Sequence, residues 1–312
     1  MFGNKRALTF GFEELGRLMS EATGGNFVLQ IHYGETLGPS KEMLDGLSIG
    51  AFEAALISPG FTPGKLPVIE GPALPFLPMA SIYHGAAMRE AFLSTAAAKA
   101  DVARWNSVII MQVPYSTNEF VGKGKAPVTL ADWKSKRVRA LGGDARAMQL
   151  LGASATALPS TEIYGGLERG LLDAASSLFY AHAAFKLQEV TTWYTTNLSL
   201  SSPSVIISAG KKAFDALPPQ YQKLMMDSVP ASIDGWIKAF QEDDQKGIDA
   251  FKAKGLQAIT YSEDELTRLR GLVRPIWDEW AADIDKRGFP GKQLLQTMLD
   301  GAKIEKKSGF KI

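Results

Sequence analysis

Short apolar strands alternate with amphipathic helices along most of this 312-residue chain. Strand-like runs such as SVIIMQVPY (107–115) and SVIISA (204–209) are separated by segments with helical periodicity, and further helices are predicted at 219–253 and 262–287. Repeated strand–helix–strand units place helices over mostly parallel sheets, and the length is sufficient for two cores. The alternation therefore predicts an α/β protein with two domains.

Three segments carry more specific expectations. NFVLQIHY (26–33) alternates apolar and polar residues as a strand does. The helix at 219–253 would be about 50 Å long at 1.5 Å per residue, which is enough to connect two domains. Pro230 lies inside it, so we expect the helix to be kinked or divided there.

Composition and charge exclude several classes of protein. The chain has 34 Lys+Arg and 33 Asp+Glu, a net charge of +1, so it lacks the basic excess typical of nucleic-acid binders. It contains no cysteine, which removes disulfides and thiolate chemistry. Its three histidines, at 32, 84 and 182, have no metal-binding spacing, and no apolar run is long enough to span a membrane.

Motifs for catalysis or cofactor binding are also missing. The sequence has neither GxSxG, the nucleophile motif of many hydrolases, nor GxGxxG, the dinucleotide-binding fingerprint. The acidic run Glu242, Asp243 and Asp244 is best interpreted as a solvated helix face. We therefore predict no catalytic residue, no cofactor and no metal.

One cation is the most promising candidate for binding. Arg137 and Arg139 share a face of a short predicted strand, and Arg139 comes just before Gly142-Gly143, where the strand gives way to a helix. Ligands of open α/β sheets bind at the carboxyl ends of strands, and a guanidinium can hold a carboxylate through two parallel hydrogen bonds. From the residues alone, a salt bridge between Arg139 and a neighbouring acid is an equally simple interpretation.

Several aromatic residues are weaker candidates. Phe76 in LPFL, together with Phe179, Tyr180 and Trp193, could line an amphipathic pocket. Packing in a core explains each of them as well.

The order of motifs resembles that of the substrate-binding subunits of tripartite ATP-independent periplasmic (TRAP) transporters, the DctP-like solute receptors. The resemblance extends over about residues 8–300. It rests on these segments of the sequence: TGGNFVLQIHYGETLGPSKEMLDGL, LPFL, LADWKSKRVRALGG, LGASATALPSTEIYGGLERGLLDAA, KLQEVTTWYT and FDALPPQYQKLM.

This resemblance implies a type II-like periplasmic binding protein. Such a fold has two α/β domains with mixed, mostly parallel sheets, a hinge and a long inter-domain helix. The corresponding division here is residues 1–117 plus 204–244 for domain I and 118–203 plus 245–312 for domain II. The ligand cleft would lie between the two domains.

The resemblance also implies a function. Members bind a small organic acid between the domains, catalyse nothing, and deliver the ligand to a membrane permease. The family arginine that holds the ligand carboxylate corresponds to Arg139. We therefore expect a monomeric periplasmic protein whose partners are an organic acid and TRAP permease subunits.

Departures from the family pattern suggest the kind of acid. The position of a second family arginine is Glu119, and the position of a family asparagine is Ser177, with Phe179 and Tyr180 close by. A second ligand carboxylate would be repelled by Glu119. We expect a 2-oxo or 2-hydroxy monocarboxylate with an aromatic or branched tail, contacted by Arg139, Glu119, Ser177, Phe179, Tyr180 and Phe76.

Two alternatives remain open from the sequence. One is a carboxylate-binding sensor or scavenger without a permease. The other is an enzyme that orients a carboxylic substrate on Arg139. The family begins with a leader and a first strand, whereas this chain begins close to its first helix, so we expect the leader and possibly that strand to be missing.

Overall fold

A computed structural model describes residues 7–311, which form two β-sheets surrounded by helices. The strands are β1 (Ala54–Ile57), β2 (Ser107–Gln112), β3 (Glu119–Gly122), β4 (Arg137–Arg139), β5 (Ser154–Thr156), β6 (Ala174–Ser177), β7 (Trp193–Thr195), β8 (Ile206–Gly210) and β9 (Gln257–Ile259). The helices are α1 (Ala7–Ala22), α2 (Met43–Ser48), α3 (Ile82–Leu93), α4 (Ala96–Ala103), α5 (Gly142–Leu150), α6 (Ile163–Glu168), α7 (Phe179–Ala184), α8 (Lys211–Asp215), α9 (Pro219–Ala253), α10 (Glu263–Val273), α11 (Pro275–Lys286) and α12 (Gly291–Gly301).

The two sheets confirm the two-domain α/β prediction. The smaller sheet has the order β1-β8-β2, and the larger has the order β5-β4-β6-β3-β7-β9. Parallel pairing joins β4 to β5 and β6, and β7 to β9. The other four pairings are antiparallel. The sheets are mixed, as predicted, but parallel pairing does not dominate. Strands β3 and β8, which follow two of the connections between the sheets, run antiparallel to their neighbours.

The two crossings, residues 113–118 and 196–205, lie side by side. The backbone N–H of Val113 donates to the carbonyl of Val205 (3.0 Å), and that of Asn118 donates to the carbonyl of Ser201 (2.7 Å). Arg89 of α3 is buried and its guanidinium donates to the carbonyls of residues 115 and 203 and to the hydroxyl of residue 202. The segments where we predict the domain boundaries are thus tied to each other and to α3.

Helix α9 runs between elements of both sheets, as predicted for an inter-domain helix. Near its middle, the Trp236 ring lies so close to Gly11 of α1 that a Cβ there would be 2.0 Å from the ring. Farther along, Gly247 lies against the carbonyl of Phe179 in α7. We expected Pro230 to kink or divide the helix, and the helix continues through it without a division. Packing along the buried face of α9 outweighs the one backbone hydrogen bond that proline removes.

The C-terminal helices pack on the smaller sheet's side. A Cβ on Gly301 of α12 would lie 2.9 Å from the Met88 Cα of α3. The Lys306 ammonium pairs with Glu90 at 2.7 Å, and the Trp280 indole N–H donates to the carbonyl of residue 67 at 3.0 Å. Residues 245–312 were predicted to belong to domain II as a whole. We now propose that the contribution of this stretch to domain II ends before Pro275.

Residues 26–33 do not form the predicted strand. Their side chains alternate between half-buried and exposed, and Leu29 packs on Gly16 of α1. Among the described residues, however, no backbone hydrogen bond joins 28–33 to another strand. Periodicity fixes which side chains face inward, but a strand also requires a hydrogen-bonded neighbour.

Within residues 7–311, no helix combines the length and the apolar character needed to cross a membrane. The expected absence of a leader and first strand concerns the chain ahead of α1. That part lies outside the described residues.

Candidate functional site

A cleft of about 390 Å³ lies between the two sheets. The larger sheet contributes the carboxyl ends of β4 and β6, and the opposite wall comes from the loop after β1 and from the two crossings. This is the edge at which open α/β sheets bind ligands. The residues that line the cleft include Phe61, Ala73, Asn118, Arg139, Gly143, Arg146, Ser176, Ser177, Leu178, Tyr180, Phe185, Ser201 and Trp280.

Arg139 is the cation of this cleft. It ends β4, which is enclosed between β5 and β6, and its side chain is only 5% exposed. Nε donates to the carbonyl of Leu158 (2.9 Å), and Nη1 donates to the carbonyl of Ser176 (3.0 Å). Within residues 7–311, the Nη2 group donates no hydrogen bond and Arg139 forms no ion pair. Its neighbour Arg137 instead faces solvent and pairs with Asp173 at 2.6 Å.

Burial lowers the pKa of Arg139 to about 10, and the negative charge of Asp144 opposes this shift. The guanidinium therefore stays protonated at neutral pH. Two of its nitrogens are oriented by carbonyl oxygens, and the third donates no hydrogen bond within the described residues. A buried cation held in this way is prepared for an anion and needs little rearrangement to bind it.

Asp144 accepts hydrogen bonds from the segments that surround Arg139. It lies in the first turn of α5, fully buried, and accepts hydrogen bonds from Asn118 Nδ2 (2.8 Å), from the Ser201 hydroxyl (2.5 Å) and from the Ser176 hydroxyl. Burial raises the pKa of this carboxyl, while the three donors and Arg139 act to lower it. The carboxylate thus links both crossings to β6 and balances the buried guanidinium.

The structure brings only some of the predicted site residues together. Arg139, Ser177 and Tyr180 line the cleft. Glu119, Phe76 and Phe179 are not among the residues that line it.

Glu119 is occupied within the protein. Its buried carboxylate accepts hydrogen bonds from the Thr195 hydroxyl (2.5 Å), from the backbone N–H (2.9 Å) and hydroxyl (3.0 Å) of Ser199, and from the N–H of Leu198 (3.2 Å). Burial raises its pKa, and these donors act against that rise. Glu119 therefore fixes the start of the second crossing, a role different from the ligand contact we expected.

Phe179 and Phe76, the two predicted aromatic contacts that lie outside the cleft, contact other parts of the protein. Phe179 packs edge-on against Tyr194 (5.7 Å between centroids) and Phe251 (5.8 Å). Phe76 donates its backbone N–H to the carbonyl of Leu200 (2.7 Å), and the Arg270 guanidinium lies 5.6 Å from its ring. Phe179 is therefore part of an aromatic cluster, and the backbone of Phe76 is attached to the second crossing.

Sequence patterns did not reveal several cleft residues. Asn118 and Ser201 belong to the crossings, and Phe61 follows β1. No local motif marks these positions, because their meeting depends on the contact between distant segments. Asp144 does have a local signal, an acid in the first turn of a helix, but that pattern usually indicates only helix stabilisation.

His182 lies behind the cleft and makes stability depend on pH. Its ring is fully buried, Nε2 donates to the carbonyl of Glu119 (3.1 Å), and Nδ1 has no partner among the described residues. Burial lowers its pKa to about 4, and the charge of Arg139 adds to this effect. The unfolded chain therefore binds a proton more readily than the folded one between about pH 6.5 and pH 4.

We expect wild type to lose about 3 kcal/mol of its free energy of unfolding through His182 as the pH falls from 6.5 to 4. His182→Gln, which keeps a neutral donor, should lack this loss. Buried acids such as Glu119 have raised pKa values and shift stability in the opposite direction, so the two proteins must be compared at each pH. Urea unfolding at pH 7 and pH 4.5 measures the difference. If the free energy of unfolding changed equally with pH in both proteins, the assignment of this effect to His182 would be wrong.

The chemical groups of the cleft are suited to binding. They include a buried guanidinium, several hydroxyls, two carboxamides and apolar walls. Among residues 7–311, no three His, Asp or Glu side chains lie close enough to hold a metal ion.

Comparison with known proteins agrees with this picture. The family model of DctP, bacterial extracellular solute-binding protein, family 7, matches residues 4–283. The chain belongs to this family. DctP family members are TRAP solute-binding proteins that act outside the cytoplasm and are not enzymes, so the predicted family and the predicted lack of catalysis are confirmed.

Three similar proteins illustrate the DctP family relationship. The 2,3-diketo-L-gulonate-binding periplasmic protein YiaO of Escherichia coli is 25% identical over 272 residues, which cover 82% of this chain and 81% of that protein. A TRAP periplasmic solute-binding protein from Desulfovibrio salexigens, solved with bound orotic acid, has a TM-score of 0.87 at 20% identity and 96% coverage of both chains. A TRAP solute-binding protein from Rhodoferax ferrireducens, solved with copurified benzoate, has a TM-score of 0.81 at 22% identity, with 93% of this chain and 91% of that chain covered. The two solved structures establish the shared fold.

Proposed function

We propose that this protein binds a small organic acid whose carboxylate docks on Arg139. The observation that carries the proposal is the Nη2 group of that side chain, which is unpaired within the described residues and belongs to a 95% buried cation on the cleft wall. Asp144 partly offsets this charge but forms no direct ion pair with it within the described residues, so a ligand carboxylate that accepts from Nη2 would stabilise the guanidinium further.

The ligand should carry a single carboxylate. Of the described residues that line the cleft, only Arg139 and Arg146 are cationic. Arg146 is already paired with Glu279 of α11. A second ligand carboxylate would therefore enter the cleft without a cation to receive it, which would be unfavourable.

The rest of the ligand should be apolar or aromatic. Side chains of Phe61, Leu178, Tyr180, Phe185 and Trp280 line the cleft. Such walls bind a ring or a branched tail through burial of apolar surface. The benzoate and orotic acid bound by the two similar proteins are ring carboxylates, which supports this choice. We propose a 2-oxo or 2-hydroxy acid with a ring or branched tail.

Ligand binding would be coupled to movement of the domains. The cleft walls belong to different sheets that are joined by the two crossings, so a ligand that contacts both walls favours their approach. The closed, loaded protein would then dock, as a monomer, on the membrane permease subunits of a TRAP transporter.

A thermal-shift series tests the carboxylate requirement. Mandelate, phenylpyruvate, lactate and benzoate are each compared with the corresponding uncharged amide. A ligand that binds only the folded state raises the melting temperature by an amount that grows with the logarithm of its concentration over Kd. We expect shifts with one or more acids and none with the amides. An amide that stabilises the protein as strongly as its acid would refute docking on Arg139.

A further inference from the structure

Asn118 is a polar residue of the cleft wall whose hydrogen bonding is incomplete. It lies in the first crossing, directly ahead of β3, and is 7% exposed. Its backbone N–H is held by the carbonyl of Ser201 at 2.7 Å. The side chain therefore occupies a fixed position in the cleft that Arg139 also lines.

The orientation of the Asn118 carboxamide is set by Asp144. Nδ2 donates to Asp144 Oδ2 at 2.8 Å, and the hydroxyls of Ser176 and Ser201 donate to the same carboxylate. Turning the amide over would place its oxygen against an ionised carboxylate, which only accepts hydrogen bonds. The Oδ1 atom is thus directed away from Asp144, and within residues 7–311 nothing donates to it.

The carboxamide that carries this acceptor is connected to Arg139 through Ser176 and Asp144. Arg139 Nη1 donates to the carbonyl of Ser176, and the hydroxyl of Ser176 donates to the Asp144 oxygen that also receives Asn118 Nδ2. Ser176 therefore separates the guanidinium from the carboxamide. A ligand carboxylate on Arg139 would place the next ligand atoms near Asn118.

We infer that the cleft selects 2-hydroxy acids over 2-oxo acids, with Asn118 Oδ1 accepting the hydrogen bond of the ligand hydroxyl. The inference rests on the proposed function and specifies it further. A 2-hydroxyl can donate to Oδ1. A 2-oxo group offers only lone pairs, so it would face an acceptor and leave Oδ1 unsatisfied.

Burial makes this discrimination stronger. Oδ1 is screened from bulk water, so water does not replace a missing ligand donor. The crossing that carries Asn118 joins the two sheets, and separation of the domains would open the path by which a ligand reaches this atom. Closing around a 2-hydroxy acid would then satisfy both the guanidinium and the carboxamide.

Calorimetric titration of the full chain with matched acids tests the inference. The pairs are mandelate with phenylglyoxylate and lactate with pyruvate, which differ only at the 2-position. We expect the preferred hydroxy acid to bind about tenfold more tightly than its oxo partner, or more, since an unsatisfied buried acceptor has a cost of this size. Equal binding, or tighter binding of the oxo acids, would overturn the inference.

Two variants show whether Asn118 causes the preference. Asn118→Leu removes the acceptor, and Asn118→Ala is a smaller change that also removes it and serves if the leucine variant does not fold. In either variant the ratio of hydroxy-acid to oxo-acid affinity should fall to about one, mainly through weaker binding of the hydroxy acid. An unchanged ratio of the two affinities in a folded variant would show that Asn118 does not distinguish a hydroxyl from an oxo group at the 2-position of the ligand.

The outcomes separate this inference from the proposed function. If both members of a pair bind with equal affinity and their amides do not bind, docking on Arg139 stands and the role of Asn118 is wrong. If none of these four acids binds, and neither phenylpyruvate nor benzoate binds, the proposed monocarboxylate function fails, and the inference fails with it.

Discussion

Replacing Arg139 with methionine should weaken binding of the organic acid by about 100-fold or more. Methionine has a similar length but no donors, so the ligand carboxylate would be buried without a cation. Loss of one partner from a buried, hydrogen-bonded charge pair costs about 2–5 kcal/mol, and 1.4 kcal/mol corresponds to a factor of ten. Calorimetric titration with the best acid from the thermal-shift series measures the loss.

Arg137→Met is the matched control for this experiment. Arg137 is two residues away on the same strand, faces solvent and pairs with Asp173. Its replacement should leave the ligand Kd unchanged, since an exposed ion pair contributes little. Arg139→Lys should bind at an intermediate level, because lysine keeps the charge but cannot make two parallel hydrogen bonds. Binding by folded Arg139→Met within threefold of wild type would refute the proposed site.

Adding one methyl group at Gly143 should damage both stability and binding. A Cβ at this position would lie 2.1 Å from the Ala73 carbonyl oxygen and 3.0 Å from the Pro75 nitrogen. These are backbone atoms, which cannot move aside as a flexible side chain can. The loop carrying them would be forced away from the end of β4, where the cleft begins.

For Gly143→Ala we expect a loss of about 1–3 kcal/mol in the free energy of unfolding and roughly tenfold weaker binding of the acid. Gly271→Ala is the control, because Gly271 lies within helix α10 and an added Cβ there has no atom within 4 Å. The control should be slightly stabilised, since alanine reduces the entropy of the unfolded chain. Urea unfolding and calorimetry on both variants provide the comparison. A Gly143→Ala protein as stable as the control would contradict the close contact.

The position of Arg139 could be predicted because its signals are local. A short strand followed by a glycine pair and a helix locates the carboxyl end of the strand, and alternation assigns the inward face. Ser177 is similar, because it ends β6, the strand next to β4. Where ordinary β–α geometry decides the location of a side chain, the sequence is sufficient.

Glu119 and Asn118 show where local reasoning fails. They are neighbours in sequence, yet the carboxylate of Glu119 turns to residues 195–199 whereas Asn118 lines the cleft. Which one faces the cleft depends on the second crossing, about 80 residues later in the chain. Pairing between distant segments is not encoded in a local pattern, so the two roles could not be separated beforehand.

The pattern at 26–33 fails for a related reason. Its alternation correctly indicates which side chains face α1, as the contact of Leu29 with Gly16 shows. Strand formation needs backbone hydrogen bonds to a partner, and the described residues supply none for 28–33. Local periodicity therefore predicts which side chains face inward more reliably than it predicts whether a strand pairs with a neighbour.

Helix α9 has a mechanical consequence. Its 35 residues form one hydrogen-bonded rod of about 52 Å, which cannot lengthen appreciably. Glycines let it touch its neighbours closely at two separate points, Gly11 against Trp236 and Gly247 against the Phe179 carbonyl. A helix held at two points allows the two domains to rotate or twist relative to each other, but it does not allow them to slide apart. We therefore expect the cleft to open and close by rotation of the domains. Changing either of these two helix contacts should alter the opening angle without changing the ligand site.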